Sequence, residues 1–286
     1  MNFVRTGELR PNALEVPIEI SPLEEIDRLT LKRLNHLLGF IKERKPEILR
    51  EFVEELTGEL LNQAKEDYAI RDVLDLDDVL SGLPLLQEHV DLTVALLNYC
   101  FDVLQLPQGT EWLGKKVSVS TRADLRSFLL PRYNNLMALV DIVGREDAIA
   151  FYKRFFTQYL ADTRDPDRKI YDSLEDLYEE RSRETEEPSA WVVVRGMLSD
   201  GKYAFRNDNC LWVDALEDIE DSELKYYICC YGDYEGAKAH NESIVMTMEH
   251  TIAEGNPYCS RVLHDTRVDW NLRHPPKEFW DKMGKT

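Results

Sequence analysis

The stretch WVVVRGMLSDGKYAFR, residues 191–206, decides the fold class of this chain. It opens on a β-type run at 191–194, and residues 202–206 alternate in character like a returning strand. Between the two runs, Ser199-Asp200-Gly201 is a typical turn sequence. The stretch therefore predicts an antiparallel hairpin, and it marks a change in the character of the chain near residue 186.

Two more strands are predicted further along the chain. Residues 244–252 and 258–268 have β-type composition and are separated by the turn sequence Glu254-Gly255-Asn256-Pro257. A short helix is predicted over residues 221–230, between the hairpin and these strands. The region 187–286 is therefore predicted to be an antiparallel sheet with an inserted helix.

The region before the hairpin has the apolar spacing of helices. Ser21-Pro22 is typical of an N-cap followed by proline at the first helical position. Further helices are predicted from about Pro46, over 83–104, and over the shorter segments 122–129, 133–143, 146–160 and 172–183. This order predicts the α+β class, with an N-terminal helical layer over residues 1–186 that is followed by the antiparallel sheet. The two regions form either separate units or the layers of one integrated domain.

The composition restricts the class of partner. The chain has 286 residues, of which 54 are acidic and 35 basic, and its net charge is -19. Such a charge repels a phosphate backbone, so nucleic acid is not expected as a partner. No stretch approaches the roughly 18 apolar residues of a membrane span, and residues 1–10 lack the apolar segment of a signal peptide. We therefore expect a cytoplasmic protein with no nucleic-acid or membrane partner.

Nucleophilic and basic side chains concentrate towards the C-terminal end of the chain. Four of the five cysteines lie between residues 210 and 259, and four of the six histidines lie between residues 240 and 274. Thiols and imidazoles supply most protein nucleophiles and general bases. The odd number of cysteines and the adjacent pair Cys229 and Cys230 argue against a disulfide framework. We therefore expect the chemistry of the protein to reside in this region.

The spacing of these side chains does not fit a structural zinc site. Zinc ligands usually occur as short C-x2–4-C or H-x3–5-H pairs, whereas His240 and His250 are ten residues apart. No glycine-rich phosphate-binding pattern is present either. We therefore expect no metal and no organic cofactor.

Cys259 follows a Gly-Asn-Pro turn, where it is either a nucleophile at a pocket mouth or a small buried strand residue.

The segment TIAEGNPYC, residues 251–259, resembles the signature of the L-2-amino-thiazoline-4-carboxylic acid hydrolase family. Upstream, the family has a cysteine before a short helix and a further cysteine followed closely by aspartate. Cys210, Cys229 or Cys230, and Asp233 stand in that order in this chain. The resemblance covers about residues 190–265.

The resemblance implies an enzyme that opens the amidine-containing ring of 2-amino-thiazoline-4-carboxylate with water. By this resemblance Cys259 is the first candidate for the nucleophile, Asp233 and Glu254 for binding the amidine, and His240 or His250 for acid–base catalysis. Further candidates for the substrate site are Thr251, Cys210, Cys229 and Cys230.

Three positions depart from the family pattern. Met248 and Glu249 stand where the family has an arginine and a threonine, and Arg261 stands where an aromatic residue usually follows the cysteine. The alternative function is a non-catalytic small-molecule-binding or sensor module that uses the same pocket.

The aromatic helix face at residues 151–156 predicts either ordinary core packing or a contact between two copies in a homo-oligomer.

Overall fold

The computed structural model describes residues 3–8, 10–183, 191–198 and 201–285. It shows an α+β protein whose sheets are antiparallel, which confirms the predicted fold class. The predicted turn at Ser199-Asp200 and the predicted change of character near residue 186 lie outside the described residues. Within these described ranges, no helix is long and apolar enough to cross a membrane.

The strands and helices are numbered here in chain order. The strands are β1 Phe3–Thr6, β2 Pro17–Ile20, β3 Val117–Ser120, β4 Val193–Leu198, β5 Lys202–Asn207, β6 Ile244–His250 and β7 Cys259–Asp265. The helices are α1 Pro22–Ile26, α2 Lys32–Arg44, α3 Leu49–Gln63, α4 Ile70–Val73, α5 Leu76–Val79, α6 Pro84–Glu88, α7 Val90–Leu104, α8 Thr121–Val143, α9 Arg145–Asp162, α10 Leu174–Arg183, α11 Leu211–Asp214, α12 Ser222–Cys229, α13 Gly232–Lys238 and α14 Lys277–Met283. A π-helical stretch, Asp27–Leu31, joins α1 to α2.

Contacts between residues divide the chain into two compact units. The helical unit covers residues 14–159, and the sheet unit combines residues 1–13 with residues 160–286. The first strand of the chain, β1, therefore belongs to the sheet unit, and so does α10. The sheet unit draws its residues from both ends of the sequence.

The helical unit has an apolar core built around α7, which packs against α3 and α8. Arg33 is only 3% exposed; it donates a hydrogen bond to Tyr152 Oη at 2.7 Å and lies 4.1 Å from the ring centre of Phe156. These aromatic contacts accommodate the buried guanidinium through cation–π attraction. Phe151 and Phe155 are also buried within this unit.

The sheet of the sheet unit has the strand order β1-β4-β5-β7-β6, and every neighbouring pair is antiparallel. Successive residues of a strand point to opposite faces, so Tyr203 and Ala204 lie on different faces. The first face packs against Leu177 of α10 and Ala237 of α13. The second face packs against Trp280 of α14. The sheet is therefore covered on both faces.

The predicted hairpin and the two predicted C-terminal strands are confirmed as β4–β5 and β6–β7. The predicted inserted helix is confirmed as α12, which is flanked by the short helices α11 and α13. Asp221 caps α12, because its side chain accepts a hydrogen bond from the Leu224 amide at 3.0 Å. These insertions between β5 and β6 supply part of the cover over the first face.

Candidate active site

A cavity of about 390 Å³ lies on the first face of the sheet, next to α10 and α13. All of its described lining residues belong to the sheet unit. Aromatic and aliphatic side chains form much of the wall, together with four arginines, one aspartate, one histidine and two cysteines. A concave, mostly apolar wall with a few convergent polar groups is typical of a small-molecule site.

Arg261 in β7 points to the cavity because it shares the first face with the strand residues opposite it. It is paired in register with Phe205 of β5 and Met248 of β6. Its Nη1 donates to Asn207 Oδ1 at 2.6 Å, and its Nη2 lies 2.8 Å from Asp233 Oδ2. Two charge-assisted contacts therefore hold a guanidinium that is only 7% exposed.

The surroundings of Arg261 keep it charged. Burial acts to lower its pKa, but the Asp233 carboxylate and the nearby thiols of Cys259, Cys230 and Cys210 raise the pKa above its usual value. Arg261 Nε is buried and has no hydrogen-bond partner among the described residues. One donor of this guanidinium is therefore unsatisfied, which a bound water or ligand would relieve.

Two cysteines border the cavity directly. Cys210 precedes α11 and is 6% exposed, whereas Cys229 ends α12 and is half-buried. Burial raises the pKa of Cys210, while the Val213 amide, the Arg261 charge and the Trp191 side chain act in the opposite direction. The net effect is a raised pKa, so Cys210 is largely a neutral thiol at neutral pH despite these three groups.

The other two cysteines of this region are not among the lining residues. Cys259 and Cys230 are each 2% exposed, and Cys259 Sγ accepts a hydrogen bond from the Ile252 amide at 3.3 Å. Burial raises the pKa of Cys259, and Arg261 lowers it. Cys259, the first candidate nucleophile from the sequence, is thus influenced by the charge of the site without bordering the cavity. Its role as nucleophile stays a prediction.

Of the two predicted acid–base histidines, His240 lines the cavity. Its Nε2 lies 3.3 Å from Arg168 Nη2. Burial and the positive charges of Arg168 and Arg181 lower the pKa of His240 to about 4. The imidazole is therefore neutral at neutral pH, and its Nε2 accepts the hydrogen bond in this contact, because an arginine only donates.

His250 lies on the second face of the sheet. Its Nδ1 lies 3.2 Å from Ser260 Oγ, and its ring packs 5.5 Å from the ring centre of Tyr258. Ser260 is adjacent to Arg261 in β7, so it points away from the cavity. The structure therefore does not bring His250 together with His240.

Thr251 and Glu254 form a cap on the single 3-10 turn Ile252–Glu254. Thr251 Oγ1 accepts from the Glu254 amide at 3.3 Å and donates to Glu254 Oε2 at 2.7 Å. Thr251 is buried, whereas Glu254 is exposed, and neither is among the lining residues. The structure shows that this pair shapes the turn before β7. Substrate binding by Thr251 and Glu254 stays a prediction.

Three of the cavity arginines were missed by reasoning from sequence. Arg168 precedes α10, Arg181 lies in α10 and Arg195 lies in β4, where it donates to Thr6 of β1. Arg195 did carry a signal, since a charge at an inward-facing position of an apolar strand is unusual. Arg168 and Arg181 gave no comparable signal, because they lie in the predicted helical region.

The fold and the site define an α+β protein with a cavity of about 390 Å³ that is lined by guanidiniums and thiols. Among the described residues, no three histidine, cysteine, aspartate or glutamate side chains are arranged to hold a metal ion. The thiols lie instead around the charge of Arg261.

Residues 128–262 match the model of the L-2-amino-thiazoline-4-carboxylic acid hydrolase family. The match confirms the resemblance found in the sequence and extends it upstream from about residue 190 to a residue within α8. All of the predicted site residues and the four cavity arginines lie inside the matched segment. No curated protein and no solved structure matches the chain.

Proposed function

We propose that the protein hydrolyses a small cyclic amidine, or a related metabolite with a scissile C–N or C–S bond, that carries a carboxylate. The family match carries this proposal. The cavity supports it, because thiols, an imidazole, a carboxylate and guanidiniums surround one volume of small-metabolite size. These are the groups that addition of a nucleophile to an amidine carbon requires.

The charged side chains of the cavity suggest how such a substrate is oriented. Asp233 offers a carboxylate to the amidine nitrogens, and 38% of its side chain is exposed although Arg261 binds it. The chain has Met248 and Glu249 in place of the arginine and threonine of the family pattern. Arg168 and Arg181 supply guanidiniums from another part of the cavity wall, and they fit the carboxylate of the substrate.

The reaction begins with attack of a cysteine thiolate on the carbon between the ring nitrogen and sulfur. The tetrahedral adduct then expels one ring heteroatom, which takes up a proton, and leaves a thioimidate on the enzyme. Water adds to this carbon, and the thiol leaves with its proton restored. His240 stays the candidate for moving that proton, although its lowered pKa makes it a weak base in the unliganded cavity.

We assign the attacking thiolate to Cys210 in preference to Cys259. Cys210 borders the cavity, whereas Cys259 is not among its lining residues, and the charge of Arg261 acts on both thiols. Cys259 remains the second candidate, because it lies beside the same guanidinium. Cys229 also borders the cavity and is the third.

A non-catalytic small-molecule-binding or sensor module is the second candidate function. It is favoured by one observation: burial raises the pKa of Cys210 and of Cys259, so both are largely neutral thiols at neutral pH. In such a module the thiols only fill the wall of the pocket.

The test combines thiol labelling with an assay of turnover. The native protein is alkylated with iodoacetamide across a pH series and read out by peptide mass spectrometry, with Cys100, which is 0% exposed, as the internal unreactive reference. The variants Cys210→Ser, Cys229→Ser and Cys259→Ser are then assayed with a panel of cyclic amidine carboxylates. We expect substrate to protect Cys210 from labelling, and Cys210→Ser to abolish hydrolysis.

The outcomes separate the candidates. Loss of hydrolysis only in Cys259→Ser moves the nucleophile to Cys259 and keeps the hydrolase. Ligand binding without turnover in the wild-type protein, with uniformly slow labelling of all five thiols, overturns the hydrolase in favour of the binding module.

A further inference from the structure

The contact between Arg168 and His240 decides which ring nitrogen of the histidine carries the proton. Arg168 Nη2 lies 3.3 Å from His240 Nε2. A guanidinium has donors and no acceptor, so Nε2 accepts this hydrogen bond and carries no hydrogen itself. The ring is neutral at neutral pH, and a neutral imidazole carries a single proton on one of its two nitrogens. The proton of His240 therefore lies on Nδ1.

Backbone contacts hold the two segments that carry these side chains against each other. Tyr171, which follows Arg168 closely in the chain, donates from its amide to the His240 carbonyl at 3.0 Å. Asn241 Nδ2 donates in turn to the Tyr171 carbonyl at 2.8 Å. The Tyr171 ring packs edge-on with its centre 5.6 Å from the centre of the imidazole. These contacts restrict movement of Arg168 away from the His240 ring.

The proton on Nδ1 makes this atom a donor without an acceptor. His240 lines the cavity, and its Nδ1 is buried without a hydrogen-bond partner among the residues that the structure describes. A buried donor that has no acceptor costs free energy, and an acceptor atom of a ligand in the cavity would remove that cost. The histidine therefore presents an unsatisfied N–H group.

We propose that Arg168 is a positioning residue: by donating to Nε2 it holds His240 as the Nδ1–H tautomer, so that the ring offers the ligand a hydrogen-bond donor and not a base. The role of this donor in the reaction rests on the proposed hydrolase, whereas the tautomer does not depend on turnover. In that reaction, Nδ1–H donates to a substrate heteroatom on which negative charge develops.

The same contact opposes a base role for His240. A proton added to Nε2 would face the Arg168 guanidinium across 3.3 Å, and two donors with positive charge repel each other at that distance. This narrows the role of His240 from moving a proton to donating a hydrogen bond. The proton of the attacking water then passes to the departing thiolate, which the proposed reaction restores to a thiol.

The tautomer is measured by 15N NMR of the full chain with labelled histidine, because a ring nitrogen that carries hydrogen and one that lacks it resonate far apart. The variant His240→Gln identifies the signals of His240 by their disappearance. We expect a neutral ring at pH 7 with its hydrogen on Nδ1. A ring with its hydrogen on Nε2, or a cationic ring at this pH, would overturn the proposal.

Variants of Arg168 test whether this residue fixes the tautomer. Arg168→Met removes the donor, so we expect the Nε2–H tautomer of His240 to appear. Arg168→Lys keeps a group that only donates and should preserve Nδ1–H. Arg164→Gln is the matched control, because Arg164 is an exposed residue of the same segment whose charge also acts on Arg168. An unchanged tautomer in Arg168→Met, or Nε2–H in Arg168→Lys, contradicts the role of Arg168. The wild-type spectrum and Arg168→Lys decide the question where Arg168→Met does not fold.

The role in the reaction is tested by replacing the ring. An asparagine places an N–H group near the position of Nδ1 but cannot act as a base, whereas alanine removes both functions. We expect His240→Asn to hydrolyse the cyclic amidine carboxylates within about tenfold of the wild-type rate, and His240→Ala to lose about 100-fold. Equal losses in the two variants overturn the donor role. A wild-type protein without hydrolysis refutes the proposed function, and the NMR measurement still decides the tautomer.

Discussion

The guanidinium of Arg261 lies 2.8 Å from the carboxylate of Asp233, and this ion pair sets the charge beside the cysteines of the site. Arg261 comes from β7 and Asp233 from α13, so the pair links the sheet to the helix that covers it. The two partners act on the thiols with opposite signs. Arg261 lowers the pKa of Cys259, whereas Asp233 raises it.

Asp233→Asn should therefore make the buried thiols more reactive. Without the carboxylate, the charge of Arg261 stabilises a thiolate more strongly, so the pKa of Cys259 falls and its alkylation at neutral pH speeds up by a factor of about 3 to 10. The rate is measured by iodoacetamide labelling and peptide mass spectrometry. Glu235→Gln, a change of another acidic residue in the same helix, is the control and should leave the rate unchanged.

Arg261→Gln should have the opposite effect. The thiolates then lose the nearest positive charge, and burial raises their pKa without compensation, so alkylation slows. A variant in which labelling speeds up at every cysteine, including the buried Cys100 of the helical unit, has lost its fold and does not count as support. Equal labelling rates in Arg261→Gln and the wild-type protein would contradict the electrostatic role assigned to this pair.

The low pKa of His240 makes the stability of the protein depend on pH. The pKa is 6.5 for an unperturbed imidazole and about 4 in the folded state, so between these values the unfolded state binds the proton first. Stability is therefore unaffected above pH 6.5 and falls as the pH decreases towards 4. After a discount for the partial exposure of the side chain, we expect a loss of about 1 kcal/mol between pH 7 and pH 5.

His240→Gln removes this linkage. Urea unfolding at pH 7 and pH 5 should show a smaller pH-dependent loss of stability for the variant than for the wild-type protein, by that same amount of about 1 kcal/mol. The comparison within each protein cancels the other titrating groups. If both proteins lose the same free energy between the two pH values, His240 is not held neutral by its surroundings.

Local patterns in the sequence were sufficient to predict the strands around the site, but not the pairing of β1. The valines of β4 and the alternation of β5 identify a hairpin whose partners are close in the chain. Phe3 of β1, by contrast, pairs with Gly196 across most of the sequence. A Cβ at residue 196 would lie 2.7 Å from the Phe3 ring, so the glycine permits this close contact. No local sequence pattern predicts the pairing of β1 with β4.

The cysteines and Asp233 of the site were predictable from the sequence, whereas the cavity arginines Arg168 and Arg181 were not. Cysteine and aspartate positions near residues 210, 230 and 259 indicated a site before any fold was known. Arg168 and Arg181 reach the cavity only because α10 packs on the first face of the sheet, which is a tertiary relationship. His250 was predicted to belong to the site from the resemblance, but a register shift between Met248 and His250 pairs it with Ser260 on the other face.

Removal of the cap formed by Thr251 and Glu254 should destabilise the protein. Thr251→Ala removes the acceptor for the Glu254 amide and should lower the free energy of unfolding by about 1 kcal/mol, measured by urea denaturation. Glu254→Gln keeps an acceptor for Thr251 and should change stability less. A large rise in KM in Glu254→Gln, with stability unchanged, would show instead that Glu254 binds substrate as the sequence predicted.

A buried network on the second face of the sheet supports the strand that carries the site residues. His264 Nδ1 lies 2.6 Å from Asp269 Oδ2, and its Nε2 lies 2.7 Å from Thr247 Oγ1. The Asp269 carboxylate also lies 3.4 Å from Lys202 Nζ, and its side chain is 2% exposed. Thr247 Oγ1 is in turn 2.6 Å from His274 Nε2. The Asp269 carboxylate therefore contacts both Lys202 of β5 and His264 of β7.

Asp269→Asn should be strongly destabilising, because it removes the negative charge that balances a buried ammonium. Breaking a buried ion pair by removal of one partner costs about 3 to 5 kcal/mol, and the expected loss in urea unfolding is of that size. Asp281→Asn is the control, since Asp281 forms an exposed pair with Lys277 in α14 and its loss should change stability little. Similar small losses of unfolding free energy in both variants would contradict this prediction. They would mean that the contacts of Asp269 with Lys202 and His264 do not stabilise β7.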